Sequence, residues 1–279
     1  ESSDVARALA NFPGNPIAKG LVQNACAALA ANAAEQPLWL YLRGTDRVEV
    51  SWCVTRQAPK LMADEAERMV ARYGFRALKV KGGQGMEVDA EALRMIRSAV
   101  GMDIGLTVDA NGAYDIETCP DYLKLLHDEG VRVAEDPCNL LPDAEFSKLA
   151  RAAPLPILVD SPCTSAEQAQ SFLDAGATAI SIKPGRVGIH EAGMIEKLAR
   201  RYRADICSGM FAESALGTYS SLCFASTLKS PFLPAEQTFF LLMREQLTEG
   251  APEIVNGEAM LGPDHDLNGL VDWSRTEQV

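Results

Sequence analysis

The chain has 279 residues, 47% hydrophobic and 23% charged, an ordinary globular composition with length for one large barrel or two medium domains. A formal charge of −12 speaks against nucleic acid or an anionic membrane as the main partner, while leaving room for a small anion held by clustered lysines. No run is long enough for a transmembrane helix and no signal peptide opens the sequence, so a cytoplasmic protein is expected.

The seven cysteines (26, 53, 119, 138, 163, 207 and 223) contain no CxxC pair and sit mostly in apolar stretches. Reduced, buried thiols are therefore expected rather than a disulfide framework. His127, His190 and His265 show no ligand spacing to one another or to a cysteine pair, which removes a zinc site.

Residues 1–44 read as helical and rich in alanine, with Asn15-Pro16 starting a helix over Ile17–Ala34. From Arg47 the pattern alternates between strand and helix. Strands are expected over Val48–Val54, Ala77–Lys81, Ile104–Asp109, Val131–Glu135, Ile157–Asp160, Ala179–Lys183 and Asp205–Ser208, with a last one near Phe232–Pro234. Helices are expected over Leu61–Tyr73, Val88–Val100, Ile116–Glu129, Asp143–Ala152, Ser165–Ala175, Ile189–Tyr202 and Ser214–Leu228. Thr164 or Ser165 would cap the fifth of these. Eight strands joined by seven crossover helices have the size of a (β/α)₈-type barrel.

Charged residues recur in phase with that repeat. Asp109, Glu135, Asp160 and Lys183 are spaced 26, 25 and 23 residues apart, each at the end of its strand. In a barrel the strand ends converge on one mouth, where active sites form. Lys79 and Lys81 close the second strand and, two residues apart, point to the same face. Two ammonium groups so placed need water or an anion opposite. Three carboxylates at one mouth in turn need a cation, and oxygen-only ligation suits Mg²⁺ best, with Mn²⁺ also suitable.

In this order and at these intervals, Lys79-Val-Lys81, Val108-Asp-Ala-Asn111, Ala134-Glu-Asp-Pro137, Val159-Asp160 and Ile182-Lys-Pro-Gly185 resemble the enolase superfamily. The K-x-K motif, the lysine at the sixth strand and Gly209-Met-Phe-Ala-Glu-Ser214 are similar to its muconate-lactonizing-enzyme subgroup, related to mandelate racemase. The resemblance covers about residues 47–262. It implies a (β/α)7β TIM-type barrel over residues 46–262, with a truncated or incompletely represented N-terminal capping domain. Residues 1–45 would be the helical remainder of that cap, and 263–279 a C-terminal segment in which Pro263–Trp273 packs back towards it.

The same resemblance implies a chemistry: removal of the proton α to a carboxylate through an enediolate. Asp109, Glu135 and Asp160 would hold the metal, Lys81 and Lys183 would be base and acid on opposite faces, and Lys79 would hold or polarise the site. Asn111, Asp136, Ser161 and Glu213 would contact substrate or support the groups that do. A racemase, epimerase or cycloisomerase of a small carboxylate or amino-acid derivative is expected, working as a homo-oligomer. A dehydratase on the same site, a Schiff-base barrel lyase using Lys183 and a non-catalytic descendant are the rivals. The pattern departs from the family at two positions. Asp136 stands where the family usually has Gln, and Ser161-Pro162 where it has Glu followed by Ser.

Overall fold

The computed structural model describes residues 2–12, 14–229, 231–262 and 271–274. In chain order the elements are α1 (Ser2–Ala10), α2 (Pro16–Ala33), α3 (Leu38–Tyr41), β1 (Arg47–Glu49), β2 (Trp52–Val54) and α4 (Pro59–Tyr73). There follow β3 (Ala77–Lys81), α5 (Met86–Val100), β4 (Gly105–Asp109), α6 (Cys119–Asp128), β5 (Val133–Glu135) and α7 (Ala144–Ala152). Next come β6 (Ile157–Val159), α8 (Ala166–Asp174), β7 (Ala179–Ile182), α9 (Pro184–Val187), α10 (Ile189–Tyr202) and β8 (Asp205–Ser208). The chain closes with α11 (Ala215–Ala225), a 3₁₀ turn at Phe239–Leu242, β9 (Glu253–Val255) and β10 (Glu258–Met260). None of the described helices is long and apolar enough to cross a membrane.

Two compact units divide the chain. One comprises Ser51–Ser181 and Lys197–Cys207 and carries the seven-stranded sheet, in the order β2-β3-β4-β5-β6-β7-β8. Sequential order with parallel pairing is what repeated right-handed βα crossovers produce. The strands are short apolar runs buried along their length, as in Ile157–Val159 and Ala179–Ile182, which is the signature of a sheet covered on both faces. The helices follow from local chemistry. Pro59 opens α4 and Gly74, at φ 71°, closes it, while Met62, Ala66 and Met69 line its buried face at helical spacing. Asp143 caps α7 by accepting from Glu145 N at 2.9 Å and Phe146 N at 3.0 Å, and Ser165 caps α8 through Gln168 N. Phe146 then meets Phe172 of α8 edge to face, with centroids 5.3 Å apart.

The segment after β3 is fixed by one buried carboxylate. Asp89, in the first turn of α5, accepts from Gly83 N (2.7 Å), Gln84 N (3.1 Å), Tyr114 Oη (2.7 Å) and Tyr122 Oη (2.8 Å). Gly83 itself takes φ 83°, with Ala110 O 2.7 Å from where a Cβ would lie, so this turn admits only glycine. In sequence Asp89 looks like an ordinary helix-dipole partner. Its four bonds make it the anchor of the loop that follows Lys81 instead.

The other unit comprises Glu1–Val50, Ile182–Glu196 and Ser208–Val279. Its helices α2 and α9 approach closely because Gly20 faces the backbone of Val187 and Gly188. Its sheet is antiparallel, in the order β1-β10-β9. The β9–β10 hairpin turns at Asn256-Gly257, both at positive φ (51° and 78°), a combination that favours two-residue hairpins. That dipeptide was a readable hairpin signal between Glu253–Val255 and Glu258–Met260.

Two expectations are corrected. Val48–Val54 is not one strand: Arg47–Glu49 pairs antiparallel with Glu258–Met260, whereas Trp52–Val54 pairs parallel with β3. Alternation alone cannot reveal that a chain changes sheets midway. No strand forms at Phe232–Pro234 either. Pro231 and Pro234 lack the N–H a ladder needs, and pairing is reduced to a parallel bridge between Ala235 and Val50. The expected return of Pro263–Trp273 falls outside the described residues up to 270; beyond it, Val271 bridges Thr248.

Asp89→Ala leaves two tyrosine hydroxyls and two backbone N–H groups without their acceptor. A loss of roughly 3 kcal/mol or more is expected in urea unfolding, larger than for Tyr114→Phe, which removes one donor of the set.

Candidate active site

The parallel register builds the site. Lys81 of β3, Asp109 of β4 and Glu135 of β5 are Cα partners in a single row across three strand ends. Lys79 lies two residues below, about 6–7 Å down the strand, and its long side chain reaches up to that row. There its Nζ stands 2.7 Å from Glu135 Oε1, 2.6 Å from Oε2 and 3.2 Å from Asp109 Oδ2. Lys79 is 3% exposed, Asp109 1% and Glu135 0%, so this is a buried ion cluster. The side chain of Lys81 is 26% exposed and gives Asp109 Oδ2 a 2.7 Å bond. The two lysines therefore share a face but not an environment. Lys79 is enclosed, and Lys81 reaches solvent.

Asn111 follows at φ 52°, a left-handed position that asparagine tolerates. Its N–H donates to Asp109 Oδ1 at 2.8 Å and its Nδ2 to Asp109 Oδ2 at 3.2 Å. Its Oδ1 accepts from Lys81 Nζ at 3.1 Å and from Arg56 Nη2 at 3.2 Å. Arg56 is a participant that sequence reading missed. It also donates from Nε to Gly82 O (2.6 Å) and from Nη2 to Ala110 O (3.2 Å), backbone acceptors that leave no trace in a sequence pattern.

Asp160 follows β6 and is 1% exposed. Asp136, at φ 37° and 2% exposed, turns towards it: Asp136 Oδ1 accepts from Asp160 N at 3.0 Å and Oδ2 from Ser161 N at 2.7 Å. Burial pushes the Asp136 carboxyl up, the Asp160 charge adds to this, and the two N–H bonds oppose it. Asp136 thus braces the end of β6. Its carboxylate oxygens are directed at the backbone of residues 160 and 161.

Within the other unit, Lys183 is the N-cap residue of α9, and Glu213 lies just before α11. Glu213 Oε1 accepts from Ser221 Oγ at 2.7 Å, and Oε2 from Phe211 N at 3.4 Å. A Cβ on Gly185 would collide with Glu213 Oε1, so the glycine of Lys183-Pro-Gly185 makes room for this carboxylate. Burial raises the Glu213 carboxyl, while Ser221, Phe211 N–H and the Lys183 charge work the other way.

The donor set suits a hard divalent cation: Asp109, Glu135 and Asp160 are fully buried carboxylates at successive strand ends. With Asp136 they outnumber the two lysines of β3, so this end of the sheet carries excess buried negative charge. Among the described residues, no three acidic, histidine or cysteine side chains stand in ligating arrangement, because Asp109 and Glu135 are turned onto Lys79.

Against this geometry, the family model described as "Enolase C-terminal domain-like" matches residues 61–269. The chain belongs to the enolase superfamily. Among curated relatives, this family member is 32% identical over 208 residues to a D-Ala-D/L-Ala epimerase of Cytophaga hutchinsonii, covering 73% of the chain and 56% of that protein. It is 32% identical over 225 residues to an N-succinylamino acid racemase of Thermus thermophilus, covering 78% of the chain and 59% of that protein. The chain thus spans less than two thirds of the length of these relatives. A crystal structure of muconate cycloisomerase from Pseudomonas fluorescens superposes with a TM-score of 0.92 at 20% identity, over 100% of this chain and 80% of that one. The fold is accordingly the (β/α)7β TIM-type barrel of that superfamily, in agreement with the expectation from sequence.

In this site, burial raises the Asp109 carboxyl, but Lys79, Lys81 and Asn111 N–H outweigh burial and hold it at about 2, below its ordinary 3.8. A depressed carboxylate stabilises the fold above its unfolded value and loses that contribution as pH falls through its folded value. With chelator present, the Asp109 share, about 2 kcal/mol, is fully present above pH ~4 and gone below pH ~2. Urea unfolding of wild type against Asp109→Asn across that window measures it, and the variant's acid limb should be flatter.

Proposed function

We propose that this protein is a divalent-metal-dependent enzyme that removes the proton α to a carboxylate, most specifically a racemase or epimerase of a small amino-acid derivative. The observation that carries this reading is the row Lys81–Asp109–Glu135 at the strand ends, with Lys79 buried beneath it. The activities of the relatives, epimerase, racemase and muconate cycloisomerase, support it, since all begin or end at a carbon beside a carboxylate.

Asp109, Glu135 and Asp160 would hold the cation, with Mg²⁺ the best match to an all-oxygen set and Mn²⁺ able to replace it. When bound, it would supply a Lewis acid for the charge that develops on the substrate carboxylate. Lys81 would take or return the α proton on one face and Lys183 on the other. Lys81 suits this role because it is accessible and carries only two acceptors, leaving one nitrogen position for the substrate. Lys79 would keep the carboxylates in place and add positive potential. Asn111 would orient Lys81, Asp136 and Ser161 would set the position of Asp160, and Glu213 would stand beside Lys183.

Residues 1–45 are assigned in this proposal to the helical remainder of a capping domain, 46–262 to the barrel and 263–279 to a segment returning towards the cap. The protein would act in the cytoplasm as a homo-oligomer.

The test is α-proton exchange in D₂O with Mg²⁺, followed by NMR over a panel of N-acyl amino acids, dipeptides and muconolactone. Exchange with at least one substrate is expected, abolished by EDTA and restored by Mg²⁺ or Mn²⁺. Lys81→Ala and Lys183→Ala should each lower turnover about 10²–10⁴-fold. Absence of exchange across the panel, or exchange indifferent to chelator and to Lys81→Ala, rejects the reading.

A further inference from the structure

The guanidinium of Arg56 touches two consecutive strand ends through three acceptors. It takes Gly82 O beyond β3, Ala110 O beyond β4 and the Asn111 side chain, each within 3.2 Å. Gly82 adjoins Lys81 in sequence, and the Asn111 side chain is hydrogen-bonded to it. Asp89 holds the same segment through Gly83 N and Gln84 N, so Gly82–Gln84 is gripped by a cation on its carbonyl and an anion on its amides.

The contact with Asn111 has a further effect. An asparagine amide has one accepting end and one donating end. Asn111 Oδ1 meets two cationic donors, Arg56 and Lys81, while Nδ2 meets the Asp109 carboxylate. A flipped amide would face two cations with an NH₂ group, so Arg56 reinforces the one orientation in which Lys81 has an acceptor there. Lys81 Nζ then has two fixed partners, Asp109 Oδ2 and Asn111 Oδ1. Two directions fixed on a tetrahedral nitrogen determine the third.

Resting on the proton-transfer reading above, we infer that Arg56 is a positioning residue for Lys81: acting through Asn111 and the Gly82 carbonyl, it aims the third position of the Lys81 nitrogen at the substrate α-carbon. Arg56 serves the Lys81 face only, because every group it binds belongs to the ends of β3 and β4. A planar fork with donors on Nε and Nη2 is required, which lysine does not offer.

The experiment compares wild type, Arg56→Gln and Arg56→Lys in α-proton exchange from each substrate enantiomer separately, with Lys81→Ala marking the enantiomer that depends on Lys81. Both Arg56 variants should slow exchange from that enantiomer at least tenfold through kcat, with KM and the opposite enantiomer within threefold of wild type, and Arg56→Lys should not rescue. Equal loss from both enantiomers, no loss from either, or rescue by lysine overturns the inference while leaving the proton-transfer reading standing. If wild type exchanges no substrate, that reading falls and amine labelling decides the positioning claim. Under N-hydroxysuccinimidyl acetate, mapped by mass spectrometry, Lys81 should acetylate several-fold faster in Arg56→Gln than in wild type, with exposed Lys60 unchanged. An unchanged Lys81 rate overturns it.

Discussion

The structure of the strand ends depends on one buried charge. Lys79 is enclosed at 3% exposure between Glu135 and Asp109, and removing an ammonium and two carboxylates from water costs several kcal/mol per ion before their attraction is counted. Such a cluster persists only when every member is present and every distance is kept. Parallel register supplies the distances: one residue of slip on β4 would carry Asp109 to the opposite face of the sheet, leaving Lys79 with Glu135 alone. Strand pairing and site chemistry therefore constrain each other.

Around that cluster the supporting bonds go mostly to backbone. Asp136 takes the N–H groups of residues 160 and 161, Asp89 those of 83 and 84, and Arg56 the carbonyls of 82 and 110. Asp136 and Asp89 are buried charges whose desolvation is offset by charge-assisted bonds to a loop that leaves a strand, and the exposed Arg56 makes bonds of the same kind from the solvent side. This matters at Asp136, which stands where the family usually has Gln. Asp136 is occupied with the end of β6, and its charge is directed there.

The sequence made the repeat and its phased charges legible because both are periodic. A strand end every 23 to 26 residues is a signal that chance rarely sustains, and helix and strand limits followed within a few residues, as at Ala77–Lys81 and Ile189–Tyr202. Side chains that bind backbone atoms were not legible. Arg56 follows a strand and Asp89 opens a helix, positions where charge is ordinary, and only the folded chain brings carbonyl or amide partners to them. The change of sheet after Val50 was hidden for a related reason. Alternating polarity reports which face of a strand is buried and says nothing about which neighbour pairs with it.

The K-x-K pair shows how one motif can yield two kinds of lysine. Both side chains leave the same face of β3, yet Lys79 starts one layer lower and must pass the row of carboxylates, which surrounds it. Lys81 starts level with Asp109 and ends in solvent with two acceptors. A group that exchanges protons with a substrate must reach it and must have a vacant direction on nitrogen. Lys81 meets both conditions by its height on the strand. Lys79 meets neither, and its value lies in the charge it holds in place. The spacing of two residues thus separates an accessible lysine from a buried one by depth along a single strand.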